Sequence, residues 1–167
     1  MKTNFRWLQW LAACNLIALL TVGCQSLEAG KHPSALPLCY HNAKYGFTFY
    51  LPASWQRYSM VVQEWNGYPS EIEHGPIISL RNPQWKTDNQ YQDIPIMVLT
   101  RKQWDEEGQG KFFPYTGGVI YEMWHNDRYV FGNYSRYNAY YLKGWQDADS
   151  IIRQNCDAHK MAQPYPH

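Results

Sequence analysis

Thiol and imidazole side chains recur side by side at two places in this chain, and they are the sharpest chemistry that its residue types offer. Cys39-Tyr40-His41 and Cys156-Asp157-Ala158-His159 each set a cysteine two or three residues from a histidine. If the two segments met, Cys39, His41, Cys156 and His159 would form a Cys2His2 set, which zinc accepts tetrahedrally, although neither spacing is that of a standard zinc motif. A second grouping, Glu71-Ile72-Glu73-His74, brings together two carboxylates and an imidazole, able to exchange protons or ligate a metal. Gly75-Pro76 follows at once, which favours a solvated loop. Asp147 and Asp149 flank Ala148 near a helix start, where carboxylates complement the dipole, but the further oxygen ligands of a calcium loop are missing. The chain has no phosphate loop, no His-Glu-x-x-His helix and no Gly-x-Ser-x-Gly elbow. We therefore read it as a non-enzyme without a cofactor.

Aromatic residues are the other chemical resource: 14 Tyr, 8 Trp and 6 Phe. Trp124, Tyr129, Tyr134, Tyr137, Tyr140 and Tyr141 crowd the second half, and the first five are the candidate ligand-binding residues. Flat faces with a polar handle suit them to stack on sugars such as cell-wall glycan, or on a small ligand. The same residues are also ordinary strand formers that fill a core.

These residues must be positioned by a domain, and the chain first announces where that domain goes. Lys2 and Arg6 make a positive start, Trp7 to Val22 is an apolar run broken only by Gln9, Asn15 and Thr21, and Gly23 precedes Cys24, the layout of a cleaved signal over residues 1–23. Leu20-Thr21-Val22-Gly23-Cys24 resembles the lipobox of bacterial lipoproteins, with Thr21 where that family has Leu; the resemblance makes Cys24 the lipidated N-terminus of the mature chain. Leu11-Ala12-Ala13-Cys14 matches that pattern better by letter, but leaves only Trp7 to Trp10 as its apolar core. An uncleaved membrane helix is a third reading, for which the run is slightly short. Gln25 after the cysteine, rather than Asp, implies by the same resemblance an outer-membrane protein facing the periplasm. The expected address is the bacterial cell envelope, with the membrane as a partner through the lipid.

Of the four cysteines, Cys14 then leaves with the signal and Cys24 carries lipid, which isolates Cys39 and Cys156. In an oxidising compartment a leftover pair is most simply a disulfide, and closing so long a loop stabilises by roughly 4 to 5 kcal/mol on the chain-entropy model. Export favours this over the metal alternative.

The chain carries 15 basic and 14 acidic residues. Losing Lys2 and Arg6 with the signal leaves it near neutral, and it has no Lys or Arg run, so it lacks the footprint of nucleic-acid binding. Residues 24–37, with Ser, Gly, Lys and two prolines, read as a flexible linker, 38–156 as a single domain and 157–167 as a frayed tail.

Within the domain, residues 47–51, 58–65, 77–82 and 94–100 are strand-like. Thr100-Arg101-Lys102-Gln103 is a capping box that opens a short helix, which Gly108 and Gly110 stop. Val119 to Trp124 and Arg128 to Tyr134 flank His125-Asn126-Asp127 as a hairpin. Leu142, Trp145, Ala148, Ile151 and Ile152 fall at helical spacing. The expected fold class is α+β, an antiparallel sheet of about six strands with a short helix and a C-terminal helix packed on it.

Tyr45-Gly46-Phe47-Thr48-Phe49-Tyr50-Leu51-Pro52-Ala53-Ser54-Trp55 resembles the opening of PsbP/Mog1-like domains, which implies the same α+β fold. Gly75-Pro76-Ile77-Ile78, Arg81-Asn82-Pro83-Gln84-Trp85, Tyr91 to Val98, Trp104, Arg128 to Phe131 and Arg136-Tyr137-Asn138 look like segments of an uncharacterised family of bacterial exported proteins. That resemblance implies no activity. Together these features point to a lipid-anchored envelope protein that binds another protein or supports an assembly, with a glycan or small-ligand module as the alternative.

Overall fold

Phe47, Phe49 and Leu51 alternate with Thr48 and Tyr50, and in the computed structural model this period of two becomes β2 (Phe47–Leu51), its three apolar side chains buried. The structure describes residues 38–115, 118–135 and 137–162, with side chains as far as His159. The signal, Cys14, Cys24, the 24–37 linker and residues 163–167 lie outside the described residues. β2 pairs antiparallel with β1 (Leu38–Asn42), a strand the sequence reading missed, and the two form a separate hairpin.

The main sheet is built from β3 (Ser59–Tyr68), β4 (His74–Arg81), β5 (Ile94–Thr100), β6 (Phe113–Pro114), β7 (Ile120–His125) and β8 (Tyr129–Tyr134). It is antiparallel, in the order β6-β3-β4-β5-β8-β7. The fold is thus α+β with six sheet strands, as the patterning indicates, but the six differ from those expected: β2 leaves for the hairpin and the short β6 takes the vacant place.

Central β5 is apolar on both faces because both are covered. Ile94, Ile96 and Val98 join Phe47, Phe49, Leu51, Trp55, Trp124 and Phe131 in the larger core, beneath the hairpin and α2 (Trp145–Ala162). Met97 and Leu99 face Trp65, Phe112 and Ile120 on the other side, near α1 (Arg101–Gly108). Each such side chain, fully buried, stabilises by about 1.5–3 kcal/mol. The Thr100 capping box forms as read: Gln103 N donates to Thr100 Oγ1, and Thr100 N donates to Gln103 Oε1.

Two expectations are corrected here. Gly75-Pro76 was to mark a loop, yet both lie inside β4. Pro76 has no N–H to give β5, and the indole N–H of Trp65 donates to Val98 O at 3.1 Å where that bond would have been. The indole passes so close that a Cβ on Gly75 would meet it at 2.8 Å. The second correction concerns the tail: α2 continues through Asp157 to Ala162, because His159 extends the helix's buried stripe onto Trp124.

Candidate functional site

The structure separates most of the residues whose spacing suggested chemistry. His74 Nδ1 lies 3.0 Å from Glu64 Oε1, whereas Glu73 accepts from Gln103 Nε2 and Glu71 is exposed in a turn. Asp147 accepts from the Trp55 indole, and Asp149 from Arg153 Nε and the Tyr137 hydroxyl. Burial and that neighbouring carboxylate raise the Tyr137 hydroxyl far above the ordinary tyrosine range, and burial pushes Tyr121 up to about 12. Among the described residues no group of three or more His, Cys, Asp or Glu is placed to hold a metal ion.

Cys39 and Cys156 lie on opposite sides of β2. Cys39 faces Tyr50 across the hairpin, while Asn155, next to Cys156, holds the backbone of Tyr50 from the other edge. The described residues do not show the expected Cys39–Cys156 staple, and β2 runs between Cys39 and the Asn155 that precedes Cys156. The same separation undoes the Cys2His2 alternative, although its two histidines do converge, both on Thr48.

The aromatic platform is likewise dispersed. Trp124 is 4% exposed, with His159 stacked at 4.4 Å and Phe131 at 5.5 Å, so neither indole face is left for a sugar. Tyr129 meets Tyr45 edge-on at the hairpin tips, Tyr134 packs on the smaller core and Tyr137 on the larger. Tyr140 lies in a turn and is 89% exposed.

What the fold does assemble is a contrast between two strand edges. On β2 the outer edge is taken up by side chains. Asn155 accepts from Tyr50 N at 2.7 Å and donates to Tyr50 O at 2.9 Å, and its second N–H goes to Ile151 O. His159 Nε2 donates to Thr48 O at 3.0 Å. Asn126 Nδ2 reaches Tyr45 O and Gly46 O, while its Oδ1 accepts from Arg128 N and Tyr129 N, which ties the two hairpin tips together. His159 is desolvated, which lowers its pKa, partly offset by the bond to Thr48. It is therefore neutral near pH 7, with its proton on Nε2.

Beside that edge lies a cleft of about 470 Å³, lined by His41, Phe47, Thr48, Trp124, His125 and His159 among others. His41 Nδ1 sits 3.1 Å from Thr48 Oγ1, and His125 is paired with Glu122. The buried indole N–H of Trp124 has no partner among the described residues.

β3 presents the opposite case. Gly67 N donates inward to Glu73 O, and Asn66 O accepts outward from Tyr115 N. The alternation of an antiparallel ladder then assigns Ser59, Val61, Gln63 and Trp65 to β4 and turns the N–H and C=O of Met60, Val62 and Glu64 outward. β6 covers β3 only from Gly67 to Tyr68, so among the described residues Ser59 to Trp65 form an uncovered edge. Met60 is 49% and Val62 62% exposed there. The strand itself carries little that blunts an edge: β3 has no Pro, no Lys and an unbroken register, and Glu64 is its one charge.

No family model, curated protein or solved structure matches this chain. Its function has to be read from the chemistry of these two edges.

Proposed function

We propose that this protein is a lipid-anchored domain of the bacterial cell envelope, held to the membrane through Cys24, that acts by binding an extended protein segment rather than by catalysis. The observation that carries the binding role is the uncovered edge of β3. Its outward N–H and C=O groups are flanked by exposed Met60 and Val62, the combination that strand addition uses: backbone bonds for affinity, alternate side chains for choice. Of the carboxylates and the imidazole grouped in the sequence, Glu73, His74, Asp147 and Asp149 are each tied to a separate neighbour, and Glu71 is exposed in a turn. The assignment to the PsbP/Mog1-like fold is part of this proposal and rests on the Tyr45 to Trp55 resemblance.

The cleft beside β2 supports a second reading, small-ligand binding. The unpartnered Trp124 N–H favours it, because a buried donor of this kind gains from an acceptor. Stacking of glycan on Trp124 gets no support, since His159 and Phe131 cover the indole.

Two variants test the leading reading. Cys24→Ser should abolish incorporation of labelled fatty acid and release the protein from membranes; retention of both would sink the anchor. Val62→Pro should abolish cross-linking to neighbouring envelope proteins with the fold intact, and unchanged cross-linking would remove β3 as the binding edge.

A further inference from the structure

Resting on the reading of β3 as the binding edge, we infer that its occupant is a second copy of this chain, paired antiparallel about a two-fold axis through Val62. The uncovered window sets the requirement. Tyr115 closes it at Asn66, and the turn in which Tyr58 N bonds Trp55 O closes it before Ser59. Seven residues, Ser59 to Trp65, remain, and the middle one is Val62.

A closed two-fold contact needs a surface complementary to itself. An antiparallel ladder has two-fold axes at both its hydrogen-bonded and its non-hydrogen-bonded pairs, and the axis at Val62 is the one that pairs all three outward-facing residues. The register then follows without adjustment. Val62 meets Val62, Met60 meets Glu64, and the three outward-facing residues of each copy all fall at hydrogen-bonded positions. A centre moved by one residue, to Val61 or Gln63, would set a non-hydrogen-bonded pair on the axis and leave only two of the three outward-facing residues paired.

Charge permits the arrangement. Each strand brings one charge, Glu64, already beside His74. In this register the two Glu64 residues are four positions apart along the pair, about 13 Å at roughly 3.3 Å per residue, and beyond a Debye length of about 8–10 Å their repulsion is largely screened.

The apolar side chains fit as well. Met60 and Val62 lie opposite Leu80 and Ile78, so they share the sheet face of the larger core. Pairing would continue that face from one copy into the other and remove both side chains from water. So short a contact lies at the small end of protein interfaces, and free copies would associate weakly. Copies confined to one membrane by lipid and a short linker would pair far more readily, through effective concentration alone.

Oxidative cross-linking of the full chain in membranes tests this directly. Val62→Cys, at the axis, should give a covalent homodimer at least tenfold above Ile72→Cys, which is 81% exposed but away from the edge and so measures random collision. The native cysteines set the background in the unaltered chain. Adding Val62→Pro in a chain that carries Met60→Cys and Glu64→Cys should abolish that pair's cross-link, because proline removes the central outward N–H. Equal yields from Val62→Cys and Ile72→Cys would overturn self-pairing. If Val62→Cys gave adducts only with other envelope proteins, self-pairing would fail while β3 remained a binding edge; if it gave no adduct at all, both would fail.

Discussion

β2 and β3 expose the same kind of backbone edge, yet one is closed by side chains and the other is bare. On β2, Asn155 and His159 of α2 supply the bonds that a neighbouring strand would have supplied, and Asn126, in the turn between β7 and β8, holds Tyr45 and Gly46 just before the strand. That edge packs against α2 and the larger core, so its groups had to find partners or stay costly. On β3 the outward groups of Met60, Val62 and Glu64 face solvent, where water satisfies them until something better arrives. The contrast separates an edge that stabilises the fold from one left available for association.

If that division is right, damage to the two edges should differ in kind. Asn155→Leu should have the largest effect. It strips partners from both Tyr50 N–H and Tyr50 C=O, and at about 1–3 kcal/mol for each unsatisfied buried group it should lower unfolding free energy by about 4 kcal/mol in urea titration. A loss below about 1 kcal/mol would mean that β2 needs no closure. Next comes a matched pair on β3. Val61→Pro removes a bond to β4 and should cost about 3 kcal/mol, whereas Val62→Pro, whose N–H points away from β4, should cost less than about 1 kcal/mol. A larger loss for Val62→Pro than for Val61→Pro would show that the inward and outward assignment is reversed.

The pH dependence of the closed edge follows from His159. Burial lowers its pKa in the folded protein, so the unfolded chain takes up the proton first. Its contribution is complete above the ordinary imidazole value of about 6.5 and is lost as pH falls below it. Asp93, pushed up by burial, acts in the opposite sense at lower pH, so the quantity to measure is the difference between unaltered protein and His159→Gln. The unaltered protein should lose more melting temperature between pH 7.5 and 5.5. Parallel curves would contradict a buried, neutral imidazole. The smallest effect is expected at Glu64→Gln. Its pair with His74 is exposed, and such pairs contribute about 0–1 kcal/mol, so stability should barely change, and with the Glu64–Glu64 repulsion screened self-association should barely change either.

Much of the fold is legible in local pattern. The alternation of Phe47, Phe49 and Leu51, the Thr100 capping box and the Ala148, Ile151 and Ile152 stripe each specify an element from a few residues, and all three form. What escaped was settled at long range. β1 is five residues with little alternation and exists because β2 is there to pair with it. Pro76 reads as a strand breaker until Trp65 replaces its missing bond from another strand. The cysteine pairing is a long-range matter of the same kind: arithmetic counts thiols but cannot see that β2 runs between Cys39 and Asn155, the neighbour of Cys156. One signal at the closed edge was present in the sequence. Asn155 and His159 continue the buried stripe of α2 at spacings of four, and a polar residue on an apolar helix face needs a partner. The open edge carries a fainter sign, since Ser59 to Trp65 mixes Met and Val with one charge and no proline, and which residues face outward depends on the register.

Amide hydrogen exchange resolved residue by residue would compare the two edges in a single experiment. In dilute protein, Tyr50 N–H should be protected by Asn155 while the Met60, Val62 and Glu64 amides exchange near the unstructured rate, and raising the concentration should protect those three together, leaving Ile72 unchanged. Slow exchange at Val62 that does not depend on concentration would contradict an open edge, and fast exchange at all concentrations would contradict its pairing with a second copy.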